Sequence, residues 1–415
     1  MKKIKLTKKK NLFQNIKKKI SSFYNNSIKK NKIKFNMLET IVIMLIIFGI
    51  GLVIGGIIIY GRTSYHNSSI ALNEFISTYD EIVDNYYQEV DKDKLLEAGI
   101  SGMIKYLGDP YSAYMDNSAA EEFSEDVDGT YQGIGAEIKH NSEGLPIFGR
   151  IFESSPALKA GIKENDILLK VNGEDVTKLS LAEIADIVKG EKGTKISLTI
   201  KNEDGEKLVE VVRDTVDSIS VISEIINKDD KKIGYIAITN FAANTTKQFK
   251  KELSNLEKEN IESLIIDVRG NTGGYLDTAT GIISLFVKKG EPIYQLKTKG
   301  KIDIIYDETE ESREYPIVLL ADRNSASASE LLVAALSEIN HAQIVGTKTY
   351  GKGKVQKVSV LSSGALFKYT YQEWLTPKGK YIDQIGIEPD IEINYEYSKE
   401  GKDNQKSKAI EVISK

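Results

Sequence analysis

The sequence predicts a multidomain α/β protein with an N-terminal transmembrane helix, a helical segment, a β-rich unit and an α/β core, and three observations carry that prediction. The 415 residues are 41% apolar and 28% charged, a globular balance in a chain too long for one ordinary core. Twenty residues from Ile41 to Tyr60 run without a charge. From residue 232 onward apolar strands alternate with helical segments, the order expected of a mixed core with parallel pairing.

The first element is electrostatically lopsided. Residues 1–38 hold 13 Lys and no Arg, Asp or Glu, so a formal net charge of −4 leaves −17 on the remainder. A basic run can bind nucleic acid, but the apolar run behind it makes anionic lipid headgroups the expected partner, and no nucleic acid is expected. At about 1.5 Å per residue the uncharged stretch reaches roughly 30 Å, the thickness of a hydrocarbon core. Residues 38–60 are therefore read as a single-pass anchor rather than a cleaved signal, since Gly-Arg-Thr-Ser-Tyr-His follows directly in place of a small-x-small site. The lysines put the basic tail, 1–37, in the cytoplasm and the rest beyond the cell membrane. With no cysteine the chain has no thiol nucleophile, thiolate metal site or disulfide, in keeping with an exported bacterial protein.

Residues 70–128 form an N-terminal helical region. Ala71–Asn85 and Lys92–Leu107 repeat apolar residues at three- and four-residue spacings, Gly108-Asp109-Pro110 ends the second helix, and an acidic stretch, Glu121–Asp128, follows. Residues 129–215 are β-rich, opening on Tyr131-Gln132-Gly133-Ile134-Gly135 and continuing through Ser155-Pro156-Ala157-Leu158-Lys159-Ala160-Gly161-Ile162 to an Asp166-Ile167-Leu168 strand that ends in Val171-Asn172-Gly173. This order resembles a PDZ domain. The resemblance implies that Tyr131, Gln132, Gly133, Ile134 and Gly135 present backbone N–H groups to a peptide carboxylate, that the peptide adds as a strand, and that Leu181–Val188 forms the other groove wall. Where the family often has an arginine that reports ligand binding, this chain has Lys189, which keeps the charge and loses the bidentate fork.

In the core, 216–395, strands near Lys232–Phe241, Ser263–Val268, Ile317–Leu320 and Ala342–Gly346 alternate with helices near Thr245–Glu259, Leu276–Val287 and Ala328–Ile339. Val355 to Ile393 reads as mostly antiparallel strand, and 396–415 as a polar, loosely held tail. The chain has three histidines, His66, His140 and His341, and a Ser-His-Asp triad would need one of them; nothing beside them marks such a role. There is no H-E-x-x-H, P-loop or dinucleotide glycine pattern, and no metal or organic cofactor is expected.

Three segments of the core stand out: Asp267-Val268-Arg269-Gly270-Asn271-Thr272-Gly273-Gly274, Asp322-Arg323-Asn324-Ser325-Ala326-Ser327-Ala328-Ser329-Glu330, and Gly346-Thr347-Lys348-Thr349-Tyr350-Gly351-Lys352-Gly353-Lys354-Val355-Gln356. Alone, Ser327 to Glu330 fits a helix capping box and Gly-Lys-Gly an exposed turn. In this order, behind a PDZ-like unit, they resemble the carboxyl-terminal processing protease family, a resemblance running from about residue 72 through Gly108-Asp109-Pro110-Tyr111-Ser112 to Pro389-Asp390-Ile391. It implies a PDZ β-barrel-like domain, a crotonase-like α/β protease core, and a serine endopeptidase in which Ser327 is the nucleophile, Lys352, 25 residues on, the general base, and Gln356 its orienting partner.

Physical chemistry is consistent with those roles. A serine at a helix start lies among unpaired N–H groups, so Ala328 with Gly273 or Gly274 can form an oxyanion hole, and a lysine acts as base only if burial lowers its pKa. Glu338 is read as structural. The implied partners are protein or peptide substrates with free, apolar C-terminal segments, with homodimers through the helices at 72–107. Two other readings stay open: a scaffold whose PDZ domain is the working part, and a crotonase-like hydratase or acyl transferase, which would leave the PDZ-like unit and anchor unexplained.

Overall fold

The computed structural model describes residues 36–63, 70–396 and 402–415, in two units that divide between Leu96 and Glu97. Helices α1 (Met37–Thr63), α2 (Ile70–Asn85) and α3 (Lys92–Tyr106) open the chain. The expected transmembrane helix at 38–60 is corrected here. Among the described residues no helix is long and apolar enough to cross a membrane. Nearly all of the basic segment 1–37, and His66, lie outside the described residues.

Strand β1 (Ala113–Met115) leads to α4 (Asn117–Asp128), whose start is set by the Asp116 carboxylate accepting from Ala119 N–H at 2.9 Å. A β-rich unit follows: β2 (Thr130–Gly133), β3 (Ala136–His140), β4 (Pro146–Ile151), α5 (Pro156–Lys159), β5 (Ile167–Val171), β6 (Glu174–Asp175), α6 (Leu181–Val188), β7 (Lys195–Asn202), β8 (Gly205–Val212) and β9 (Asp214–Asp217). Its sheet runs β3-β4-β5-β7-β8, with β6 on β5, while β2 pairs with β9. Alternate residues of β7, Ile196, Leu198 and Ile200, point into a core shared with Ile134, Phe148, Leu168 and Ile184.

The remaining elements are β10 (Val221–Lys228), β11 (Lys231–Ile238), α7 (Thr245–Lys258), β12 (Ser263–Asp267), α8 (Leu276–Ile283), β13 (Pro292–Thr298), β14 (Lys301–Tyr306), β15 (Ile317–Ala321), α9 (Ala328–Asn340), β16 (Gln343–Gly346), β17 (Lys354–Val360), β18 (Leu366–Leu375), β19 (Ile391–Glu392) and α10 (Asn404–Ile413). One sheet runs β10-β11-β12-β15-β16-β19, parallel except for the β10–β11 pair. β12 and β15 are buried at every position, as strands covered on both faces must be. The other sheet runs β1-β18-β13-β14 with β17 on β18, all antiparallel. Its β13–β14 hairpin, absent from the sequence reading, turns on Lys299 and Gly300, both at positive φ.

Residues 404–413 are a docked helix rather than a loose tail. Ala409 and Ile413 of α10 pack with Ile233, Tyr235, Ile265, Val318, Leu320 and Val345, and Lys231 donates to the Ser414 carbonyl at 2.9 Å. Ahead of the helix Asp403 binds Arg269, whose guanidinium also holds Asp267 and Gln405. Burial would push the Arg269 pKa down, but these bonds overcome it and raise it. Ala409→Asp would bury an unpaired carboxylate in this cluster and is expected to destabilise the protein by roughly 3 kcal/mol, measured as a lower denaturant midpoint with unchanged slope.

Candidate active site

The three segments marked in the sequence meet because they leave the C-terminal ends of adjacent parallel strands. The glycine turn follows β12, the serine turn follows β15 and the lysine loop follows β16, the edge of an open parallel sheet where ligands gather. Asn271, fully buried, ties the first turn to the second. Its side chain donates to the Ile238 carbonyl at 2.9 Å and accepts from Gly273 N–H at 2.9 Å, while its carbonyl accepts from Ala326 N–H at 3.0 Å and the Ser329 hydroxyl at 2.8 Å.

Geometry separates the three serines. Ser325 donates inward to the Val268 carbonyl at 2.8 Å and Ser329 to Asn271, and both are fully buried. Ser327 lines a cavity of about 350 Å³ together with Lys352, Gln356 and Gly274. Its backbone, at φ 55° and ψ −115°, lies where a residue with a side chain is strained by about 1–3 kcal/mol. That conformation turns it out of the helix line at the head of α9.

Glu330, one turn into α9 and fully buried, joins the serine turn to the lysine loop. One carboxylate oxygen accepts from Ser327 N–H at 2.9 Å and Lys352 N–H at 2.8 Å; the other accepts from Gly351 N–H at 2.7 Å and the Thr349 hydroxyl at 2.6 Å. The Lys352 carbonyl accepts from Trp374 Nε1 at 3.0 Å. Lys352 is thereby fixed by its backbone, and its ammonium stands 4.8 Å from the centroid of the Tyr111 ring. Burial lowers its pKa and the charge of Lys368 lowers it further, against the opposing pull of Asp109 and Glu330. The Gly108-Asp109-Pro110-Tyr111-Ser112 run thus belongs to the site: Ser112 accepts from Thr370 N–H at 3.1 Å and sets Tyr111 beneath the lysine.

Gln356 lines the same cavity, but its amide donates to Thr370 Oγ1 at 3.2 Å rather than to Lys352. The register of β17 against β18 shifts between Val355 and Gln356, with Tyr371 the extra residue on β18, and this sets Gln356 opposite Thr370. Of the two glycines considered for the oxyanion hole, Gly273 spends its N–H on Asn271, whereas Gly274 lines the cavity. Both must be glycine. A Cβ on Gly273 would lie 2.8 Å from Ser327 Cβ, and one on Gly274 2.3 Å from the Phe241 carbonyl oxygen. Ala328 N–H is in the first turn of α9, where backbone donors lack helical acceptors.

His341 closes α9 at its far end, about 20 Å from Ser327 along a helix of 13 residues. Glu338 accepts from Thr376, Lys378 N–H and Lys380 away from the cavity, a structural role. In the β-rich unit, Ile134 is buried and its carbonyl accepts from Ala157 N–H at 2.8 Å, Gly135 stands at φ 74°, and burial pushes the Tyr131 phenol up to about 12. Gln132 accepts through its side chain from Lys192 N–H and donates to Glu121 of α4. Lys189 ends α6 beside this loop, its Cα 4.0 Å from the Cβ position of Gly133. An arginine does reach this helix end, from the link between β8 and β9: Arg213 donates to the carbonyls of Ile187 and Val188. Sequence reasoning missed Asn271, Tyr111, Asp109 and Lys368 as site residues and took Glu330 only for a possible cap.

Comparison with known proteins points the same way. Peptidase family S41 matches residues 232–393, a PDZ domain residues 151–202, and the N-terminal domain of the activating protease CtpB residues 59–119. The carboxy-terminal processing protease CtpB of Bacillus subtilis is 38% identical over 326 residues, 78% of this chain and 68% of that protein. CtpA of the same organism is 36% identical over 335 residues, 80% and 71% of the two chains. A probable CtpA-like serine protease of Staphylococcus aureus is 35% identical over 78% of this chain and 65% of its own length.

Proposed function

The chain belongs to the carboxy-terminal processing proteases of peptidase family S41, and from that premise we propose that it cleaves proteins near their C-termini with Ser327 as nucleophile and Lys352 as general base. The observation that carries the reading is the single cavity in which a strained, near-buried serine and a half-buried lysine of lowered pKa meet. In the neutral form Lys352 takes the Ser327 hydroxyl proton as the oxygen attacks the scissile carbonyl. The oxyanion that forms is met by Ala328 N–H and Gly274 N–H. Lysine then returns the proton to the departing amine, leaving an ester on Ser327 that water, activated by the same amine, hydrolyses.

Gln356 lines the cavity with the lysine, its amide held by Thr370. Tyr131 to Gly135 and Lys189 hold the substrate terminus in the PDZ domain, which accounts for a preference for free C-termini. The scaffold and crotonase-like readings have no observation in their favour that this one lacks.

A fluorophosphonate probe should label the intact chain once, and peptide mapping should place the label on Ser327. Labelling elsewhere, or undiminished labelling of Ser327→Ala, would refute the nucleophile assignment.

A further inference from the structure

The catalytic cavity holds a second lysine that the mechanism does not use. Lys368 and Thr370 are alternate residues of β18 and share one face of that strand, and Gln372 follows the register shift at Tyr371. Lys368 and Gln372 line the cavity with Ser327 and Lys352, and Thr370 holds Gln356. The half-buried Lys368 ammonium stands 5.1 Å from the centroid of the Phe123 ring, on α4. Among the described residues no carboxylate pairs with it. Lys354, in the same cavity, is by contrast bound by Glu373 and lies 3.4 Å from Asp383.

The charges that face Lys352 make this unpaired cation consequential. Asp109, in the segment after α3, and Glu330, on α9, both favour the ammonium form, and Asp277 of α8 lines the same cavity. Tyr111 faces the amine with its ring. Lys354 is neutralised by its own carboxylates, which leaves Lys368, whose own pKa burial lowers, as the cation acting against Asp109 and Glu330 in its charged form. A neighbouring positive charge is an established way to make a lysine available as a base.

We propose that Lys368 is a positioning residue of the protease, its positive charge, held against Phe123, acting across the cavity to keep the Lys352 amine in the form that accepts the Ser327 proton. The proposal rests on the Ser327–Lys352 reading. It gives Lys368 a role in catalysis without contact with the reacting atoms, and it explains why a cation is kept half-buried with no partner carboxylate.

The test compares full-length wild type, Lys368→Gln, Lys368→Arg and Lys352→Met, with kcat/KM followed from about pH 6 to about pH 10. Substrates are an unfolded protein and two reporter peptides, one neutral and one acidic around the scissile bond. Activity rises with pH as Lys352 loses its proton, so removing the Lys368 charge should move this acidic limb up by roughly one pH unit, about a tenfold loss below it. The high-pH plateau should be kept, and Lys368→Arg should leave the limb in place. An unmoved limb in Lys368→Gln, with Lys352→Met inactive, overturns the proposal and spares the catalytic reading. A loss equal at every pH and confined to the acidic peptide also overturns it, assigning Lys368 to substrate recognition. Retained activity in Lys352→Met would sink both. Unchanged near-ultraviolet circular dichroism of each variant guards against misfolding.

Discussion

Lys352→Met is expected to lower kcat/KM by about three to four orders of magnitude while leaving the fold intact. The substitution removes the amine and little else. The bonds that fix this position are made by its backbone, whose N–H reaches Glu330 at 2.8 Å and whose carbonyl receives Trp374 Nε1 at 3.0 Å, so both survive. Methionine is close in length and fills the space above Tyr111 without a charge to desolvate. Lys352→Arg tests the same assignment from the other side, for a guanidinium keeps its charge and cannot take up the serine proton. Arginine should be as inactive as methionine. In wild type the active form is the neutral amine, so activity should rise with pH through a limb below the ordinary lysine range of about 10.4, since burial depresses this group. Turnover of an unfolded protein substrate by both variants, with thermal unfolding as the control, decides it; activity within tenfold of wild type would remove Lys352 from the chemistry.

The parts of this arrangement that were legible in sequence are those set by short-range pattern. β12 and β15 read as strands because of their short apolar runs, Leu264–Ile266 and Ile317–Ala321, all buried, and α7 and α9 followed from helical spacing. Spacing also linked Ser327, Lys352 and Gln356, although each alone fits a cap, a turn or a strand. What escaped depends on contacts between distant segments. Helix α10 offers few apolar residues, and its docking rests on the Asp403–Arg269 pair, partners 134 residues apart. Asp109, Tyr111 and Lys368 come to Lys352 from segments far from it in sequence, and although the Gly108-Asp109-Pro110-Tyr111-Ser112 run was part of the resemblance, nothing in it announced the contact with the lysine. The expected bond from Gln356 to Lys352 is replaced by one to Thr370, which the register shift at Tyr371 places opposite it. At the N-terminus hydropathy alone suggested a membrane span, and among the described residues no helix is long and apolar enough to make one.

The substitution Glu330→Gln is expected to reduce kcat by about a hundredfold with a much smaller change in KM. Four donors converge on this buried carboxylate, two on each oxygen, the pattern an ionised acid satisfies and an amide does not. Whichever end of the glutamine carries its NH2 group would face donors. Turned toward Ser327 and Lys352 it meets two backbone N–H groups; turned the other way it meets Gly351 N–H and the Thr349 hydroxyl. With the NH2 group toward Ser327 and Lys352, two buried hydrogen bonds worth about 1–1.5 kcal/mol each are lost. In the other orientation the Gly351 bond is lost while the Thr349 hydroxyl can turn to accept, so the anchor shared by the serine turn and lysine loop is weakened either way. A purely structural loss would lower stability and leave the pH profile in place. Glu330 also carries a charge that favours the Lys352 ammonium, so neutralising it should let the lysine deprotonate more easily and move the acidic limb to lower pH. That is opposite to the shift expected for Lys368→Gln. Glu330→Asp, which keeps the charge and shortens the reach, should restore the wild-type limb while kcat remains reduced. Opposed pH shifts in the two glutamine variants would place the protonation of Lys352 under control from both sides of the cavity; shifts in the same direction would show that neither charge acts on it in this way.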